Sequence, residues 1–166
     1  MRTPVYELHI RPLMRLMDRE GMAWSFDLFE YDQVVQHAEQ IADRAAVDMP
    51  PVAKGGPWPS EFVALFRRWM ATGYKRLELG VGDYSWVGSV TGATVSAKGV
   101  YPQAGYKGWL QVVEDTATTR TYCLYFEAPD EPQAGEPSTF AFKDKYKRTN
   151  NPQVFIQDLH GTQQVH

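Results

Sequence analysis

The chain has 166 residues, of which 43% are hydrophobic and 22% charged, and its formal net charge is -3 with a pI near 5.8. This composition predicts a folded protein with one sizeable core or two small ones. It argues against a nucleic-acid binder, which needs a basic face, and the chain lacks the run of roughly 20 apolar residues that crosses a bilayer. We therefore expect neither nucleic acid nor a membrane among its partners.

Cys123 is the single cysteine, so the chain cannot form an internal disulfide. The N-terminal residues lead into a charged amphipathic stretch rather than a long apolar signal core. Together these two features predict a protein of the reducing cytoplasm.

Residues up to Gly73 follow a helical period. Tyr6–Ile10 alternates and predicts a short strand, while Pro12 can start a helix that ends at Gly21. Asp32 is expected to accept hydrogen bonds from the first amides of a second helix. The apolar stripe of this second helix comprises Val34, Ala38, Ile41 and Ala45.

A third helix is predicted to begin at Pro59, whose missing N–H costs nothing at a first helical position. Gly73 fits a left-handed cap at its end. Apolar residues at the i, i+3, i+4 and i+7 positions of this helix are Phe62, Leu65, Phe66 and Trp69.

The pattern after Gly73 changes to short alternating or apolar runs separated by turn-forming residues. We interpret it as an antiparallel β-sandwich or small barrel and expect a frayed tail after Leu159. The predicted class is α+β, with a helical module over 1–73 packed on a β module over 74–166 as one compact unit. The predicted strands are Arg76 to Leu79, Tyr84 to Val90, Thr94 to Val100, Gly108 to Val113, Thr121 to Glu127, Phe140 to Lys145 and Val154 to Leu159.

The first half contains several short motifs: Ile10-Arg11-Pro12-Leu13, Phe26-Asp27-Leu28 with Tyr31-Asp32, Met49-Pro50-Pro51, Trp58-Pro59 and Phe66-Arg67-Arg68-Trp69. With Gly73, they resemble a cytochrome-c-like helical module. In such modules the methionine would be an axial haem ligand and the final helix would close over the porphyrin. The segment from Met17 to Met22, where haem would be attached, contains neither thiol nor histidine, so covalent haem is not expected.

Noncovalent haem is one alternative function, as a haem or redox-partner protein, because the first half is rich in soft and imidazole side chains. Methionine is also a common filler of irregular core space. The candidate haem ligands are His9, His37, Met14, Met17, Met22 and Met49.

Aromatic residues are dense in the second half and predict either sandwich packing or a cleft for a flat organic ligand. Tyr84 and Trp86 share one face of their strand. We select four of these aromatic residues as the candidate ligand-binding set: Tyr84, Trp86, Tyr106 and Trp109.

A small cofactor-independent enzyme is the other alternative, for example an isomerase, cyclase or dehydratase of an aromatic metabolite. Asp83 or Glu127 could be its general acid or base, since burial beside aromatic rings can raise a carboxyl pKa. Tyr106 or Tyr125 could donate a hydrogen bond to the substrate. The four scattered histidines show no metal-binding spacing, so we expect neither a metal nor a cofactor.

The sequence favours a noncatalytic accessory or binding protein over these two alternatives. Its aromatic surplus occurs without a coherent catalytic motif. We expect its partner to be a small aromatic ligand or another protein, bound in an aromatic cleft between the two modules. A homodimer formed through a sheet edge is a further hypothesis.

Overall fold

The computed structural model describes residues 2–89, 91–147 and 153–166. Helices come first and strands follow, which confirms the predicted α+β class. The chain forms two compact units, Met1–Arg76 and Leu77–His166, whereas the sequence suggested a boundary after Gly73. Lys75 is tied to the first unit because its carbonyl accepts the backbone N–H of Tyr6 at 2.9 Å.

The helical unit contains four α-helices and three short helical turns among its described residues. In chain order they are a π-helical turn Tyr6–Ile10, a 3-10 turn Arg11–Leu13, α1 Leu16–Met22, α2 Tyr31–Gln36, α3 Ala38–Val47, a 3-10 turn Val52–Lys54 and α4 Ser60–Ala71.

Tyr6–Ile10 is a helical turn, so the strand predicted for this segment is wrong. The segment bonds to itself as a π-helical turn, in which the N–H of Arg11 donates to the carbonyl of Tyr6. Nδ1 of His9 accepts the backbone N–H of Val5 at 2.9 Å. This local bonding stabilises a turn even though the side chains alternate as in a strand.

The predicted helix between Pro12 and Gly21 is also divided. Pro12 lies in a separate 3-10 turn, whereas α1 begins further along the chain and continues through Gly21. The carboxylate of Asp18 accepts the backbone N–H of Arg15 at 3.0 Å, which starts a new helix at this point.

The predicted second helix is broken at His37, whose φ of -105° and ψ of 13° are not helical and separate α2 from α3. Its ring stacks on Phe26 with centroids 4.1 Å apart. Glu30, rather than Asp32, precedes the first helical residue. Three residues of the predicted apolar stripe are nevertheless buried: Val34, Ala38 and Ala45.

The third predicted helix corresponds to α4, which begins directly after Pro59 rather than at it. Gly73 has a φ of +87°, which confirms the predicted left-handed cap. Phe66 and Trp69 are fully buried and lie 5.4 Å apart between ring centroids. The buried residues of this unit's core are Tyr6, Ile10, Met14, Phe26, Leu28, Val34, Ala38, Ala42, Phe66 and Trp69.

Eight strands form the described part of the second unit, one more than predicted. Val90, the predicted end of the second strand, lies outside the described residues. The strands are β1 Glu78–Leu79, β2 Asp83–Ser89, β3 Gly92–Val100, β4 Lys107–Asp115, β5 Thr119–Glu127, β6 Thr139–Tyr146, β7 Gln153–Asp158 and β8 Gly161–Val165.

Two sheets face one another in this unit. One has five strands, with β5 between β4 on one side and β1 and β7 on the other, and β8 beside β7; the other has the order β2-β3-β6. Val95 of β3 packs with Tyr122 of β5 and Ile156 of β7, and Phe140 of β6 packs with Leu124 of β5. The core therefore lies between the sheets, as in a sandwich, and the described strands do not close into a barrel.

The five-stranded sheet is mixed rather than wholly antiparallel. β5 and β7 run parallel, with Tyr122 opposite Ile156, because the chain passes through β6 of the other sheet between them. The expected frayed tail forms β8 instead, which follows a turn at Leu159 and His160 and begins at Gly161 with a φ of +110°. Its mostly polar sequence gives no hydrophobic alternation that would have predicted a strand.

Three partly or fully buried tyrosines are expected to make the protein less stable at alkaline pH. Burial, the main cause, raises the pKa of Tyr6, Tyr84 and Tyr122 above the ordinary value, and hydrogen bonds to carboxylates add to it for the last two. The unfolded chain ionises first, so this stability is complete below about pH 10 and is lost as pH rises towards the folded pKa.

We expect the free energy of unfolding, measured in urea, to be level up to about pH 9 and to fall steeply above about pH 10. The Tyr84→Phe variant should lose stability less steeply in the same alkaline range. Equal slopes in the two proteins would contradict the assignment to Tyr84.

Candidate functional site

Two predicted ligand-binding residues, Tyr84 and Trp86, point into the core between the sheets. The hydroxyl of Tyr84 donates to Oδ2 of Asp158 at 2.9 Å, and Nε1 of Trp86 donates to the hydroxyl of Tyr146 at 3.2 Å. Packing and these hydrogen bonds account for both side chains. A role for them in ligand binding stays a prediction.

The other two aromatic candidates differ in their places in the β unit. Tyr106, like Tyr84, packs against the core cluster that includes Leu124 and Phe126. The hydroxyl of Tyr106 donates to Oε2 of Glu78 at 3.3 Å. Trp109 lies opposite Tyr125 in the β4–β5 pair, and alternation with the core residue Leu110 places both on the other face of the five-stranded sheet. The structure thus brings Tyr84 and Trp86 together but not with Trp109.

The two candidate acids lie on different sheets. Asp83 is exposed at the start of β2, opposite Lys98 of β3. Glu127 is buried at the end of β5, opposite Lys107 of β4. A role for either carboxyl group as the general acid or base stays a prediction.

A pocket of about 310 Å³ lies in the helical unit. Its walls come from α1, the following segment 24–28, α3 and the segment 49–58. We call it the methionine pocket, and the side chains that define it are Met14, Met17, Met22, Met49, Trp24 and Trp58.

The methionine pocket has a buried floor and an exposed rim. Met14, Phe26 and Ala45 line it and are almost completely buried. Trp24 also lines it but is 83% exposed, and Met17 is 45% exposed. The floor therefore belongs to the core of the unit, while large apolar side chains at the rim remain open to solvent.

Arg15 holds two walls of the pocket together. Its guanidinium donates to both oxygens of Asp18 on α1, at 2.9 and 2.8 Å, and to the carbonyl of Lys54 at 2.7 Å. Gly55 has a φ of +111°, and a Cβ there would lie 2.9 Å from the same guanidinium. Glycine at this position therefore allows both the turn and the close approach of Arg15.

Hydrogen bonding also favours the ionised form of Asp18, which lines the pocket. Burial opposes ionisation of Asp18, but hydrogen bonds from the side chain and backbone of Arg15 outweigh it and lower the pKa of this carboxyl group. On α3, Nε of Arg44 pairs with Oδ1 of Asp48 at 2.8 Å. Both of these charged pocket residues already have a partner of opposite sign.

Four of the six predicted haem ligands are brought together, since all four candidate methionines line the pocket. Neither His9 nor His37 is a lining residue: Nδ1 of His9 accepts the N–H of Val5, and the ring of His37 stacks on Phe26, which does line the pocket. The thioethers thus converge without an imidazole among the lining residues. Haem binding stays a prediction.

Sequence reasoning identified the four methionines but missed the pocket they form. The available signal was the clustering of Met14, Met17 and Met22 close to Trp24 in the sequence. The backbone N–H of Trp58 donates to the carbonyl of Ala45 at 2.8 Å, which brings the segment 49–58 against α3. That long-range contact has no local sequence pattern.

Comparison of the chain with protein-family models, curated proteins and solved structures found no match. Among the described helices, none is both long and apolar enough to cross a membrane. Within the same described residues, no three His, Cys, Asp or Glu side chains come together in a group that could hold a metal ion.

Proposed function

We propose that the protein is a noncatalytic binding protein that takes up a small, mainly apolar ligand with aromatic rings in the methionine pocket. The observation that carries this proposal is the convergence of four methionines and two tryptophans on one cavity of about 310 Å³. Small-molecule sites are typically concave, mostly apolar cavities of about 300–1,000 Å³ with few polar groups. The pocket has this character.

Methionine supplies the appropriate contacts for such a ligand. Its thioether is polarisable, makes favourable contacts with aromatic rings and adapts its shape through three rotatable bonds. A volume at the lower end of the usual range suits a few aromatic rings better than a tetrapyrrole. This favours a small aromatic ligand over haem.

The exposure of Trp24 also supports binding at this rim. An indole that is 83% exposed leaves most of its apolar surface in water. Covering that surface with a ligand is favourable, and an aromatic contact adds about 0.5–1.5 kcal/mol. Trp24 is therefore expected to close over part of a bound ligand.

The test uses N-phenyl-1-naphthylamine, a neutral aromatic probe whose fluorescence rises in apolar surroundings. Ala45 is a buried pocket residue, and Ala45→Leu would occupy part of the cavity. We expect the wild type to bind one probe per chain and Ala45→Leu to bind at least about tenfold more weakly.

Ala46→Leu is the matched control, because it makes the same change at the next residue of α3, where the side chain is exposed. It should bind the probe like the wild type. Trp24→Ala, which changes an exposed residue, should retain the thermal midpoint and weaken binding about fivefold. Equal affinities in wild type, Ala45→Leu and Trp24→Ala would contradict the proposal.

Adding haemin to the same proteins tests the alternative that the pocket binds haem. We expect no stoichiometric Soret shift in the wild type. A one-to-one shift that Ala45→Leu abolishes, without binding of the neutral probe, would favour the haem hypothesis and contradict a small aromatic ligand.

A further inference from the structure

We propose that the ligand of the methionine pocket carries an anionic group, such as a carboxylate or sulfonate, which the ammonium group of Lys54 binds at the mouth. This inference rests on the proposed function, because it describes the ligand of the same pocket. It assigns the aromatic part of the ligand to the methionines and tryptophans and the charged part to Lys54.

Of the three charged residues that line the pocket, two form ion pairs with described residues and one does not. The three are Asp18, Arg44 and Lys54. Asp18 is held by Arg15, and Arg44 is paired with Asp48. In the part of the chain that the structure describes, the ammonium group of Lys54 forms no ion pair. Among the described residues, Lys54 is thus a cation without an ion-pair partner at a mainly apolar cavity.

Lys54 lines the pocket and is exposed, so its cation lies at the mouth of the pocket, the side that is open to solvent. Lys54 ends the 3-10 turn Val52–Lys54, and its carbonyl is fixed by Arg15 at 2.7 Å. Its Nζ reaches back to α1, where a Cβ added to Gly21 would lie 3.6 Å from it. Because Gly21 has no side chain, the space beside the ammonium group stays open.

Lys54 is not needed to neutralise Asp18. That carboxylate already accepts three hydrogen bonds from Arg15, two from the guanidinium and one from the backbone. Lys54 contributes only through its charge at a longer range. An anion at the pocket mouth would meet the exposed ammonium group of Lys54, whose donors can form charge-assisted hydrogen bonds with it.

Two probes that share one ring system and differ only in charge separate the contribution of charge to binding from that of apolar contact. 8-Anilino-1-naphthalenesulfonate is N-phenyl-1-naphthylamine with an added sulfonate group. The measured quantity is the ratio of the dissociation constants of the neutral and the anionic probe. We expect the wild type to prefer the anionic probe and Lys54→Met to reduce that preference about fivefold.

Lys143→Met is the control, because it removes an exposed lysine from β6 of the other unit. Its ratio should equal that of the wild type. If Lys54→Met and the wild type have the same ratio while both bind the neutral probe, the anion inference is wrong and the proposed function stands. If the wild type binds neither probe, the proposed function is wrong and the inference fails with it.

Raising the salt concentration gives an independent readout. In the wild type, salt should weaken binding of the anionic probe and leave the neutral probe unaffected. In Lys54→Met the dependence of the anionic probe on salt should become shallow. An equally steep dependence in both proteins would overturn the assignment to Lys54.

Discussion

Replacing Trp69 with alanine is expected to lower the free energy of unfolding of the helical unit by about 3–5 kcal/mol. The indole is fully buried, and its centroid lies 5.1–6.2 Å from the rings of four other aromatic residues. Its Nε1 donates to the carbonyl of Lys75 at 2.8 Å. Truncation removes this packing and leaves a cavity at the centre of the core.

Urea unfolding of Trp69→Ala measures this loss, and Phe62→Ala is its matched control. Phe62 lies on the same helix, α4, but is 38% exposed, so its truncation should cost well under half as much. Similar losses in the two variants would contradict the assignment of Trp69 as the centre of the helical core.

Replacing Asp158 with alanine should destabilise the β unit by about 3 kcal/mol. This carboxylate is 2% exposed and accepts three hydrogen bonds. The donors are the hydroxyl of Tyr84, the side-chain amide of Gln163 and the backbone N–H of His160, at 2.9, 2.9 and 2.8 Å. Alanine would leave all three donors without this acceptor.

Tyr84→Phe is the graded comparison for Asp158→Ala, because it removes one donor and keeps the ring. It should cost about 1 kcal/mol in the same urea experiment at neutral pH. A loss in Asp158→Ala no larger than that in Tyr84→Phe would show that the other two hydrogen bonds contribute little to stability.

Elements with a strong local pattern could be predicted from the sequence, and elements that depend on distant contacts could not. The apolar period of α4 and the glycine at its end predicted that helix closely. The alternation of Tyr6–Ile10 predicted a strand, but hydrogen bonds to nearby backbone and to His9 form a turn. β8 was missed because pairing with β7, rather than its own side chains, makes it a strand.

The candidate site shows the same division between local pattern and tertiary packing. Alternation correctly placed Tyr84 and Trp86 on one face of β2, but periodicity does not distinguish a face that fills a core from one that lines a cleft. The methionines of the first half were visible as soft side chains. Their convergence on one cavity depends on Arg15, which joins α1 to the segment 49–58.

The most direct test of ligand binding in the methionine pocket is NMR of protein labelled with 13C at its methionine methyl groups. Addition of N-phenyl-1-naphthylamine should shift the resonances of the four pocket methionines, Met14, Met17, Met22 and Met49. Met70 of α4 is not a lining residue and should stay in place as the internal control. If the probe shifts Met70 as much as these four, or shifts none of the four at saturation, the pocket is not the binding site.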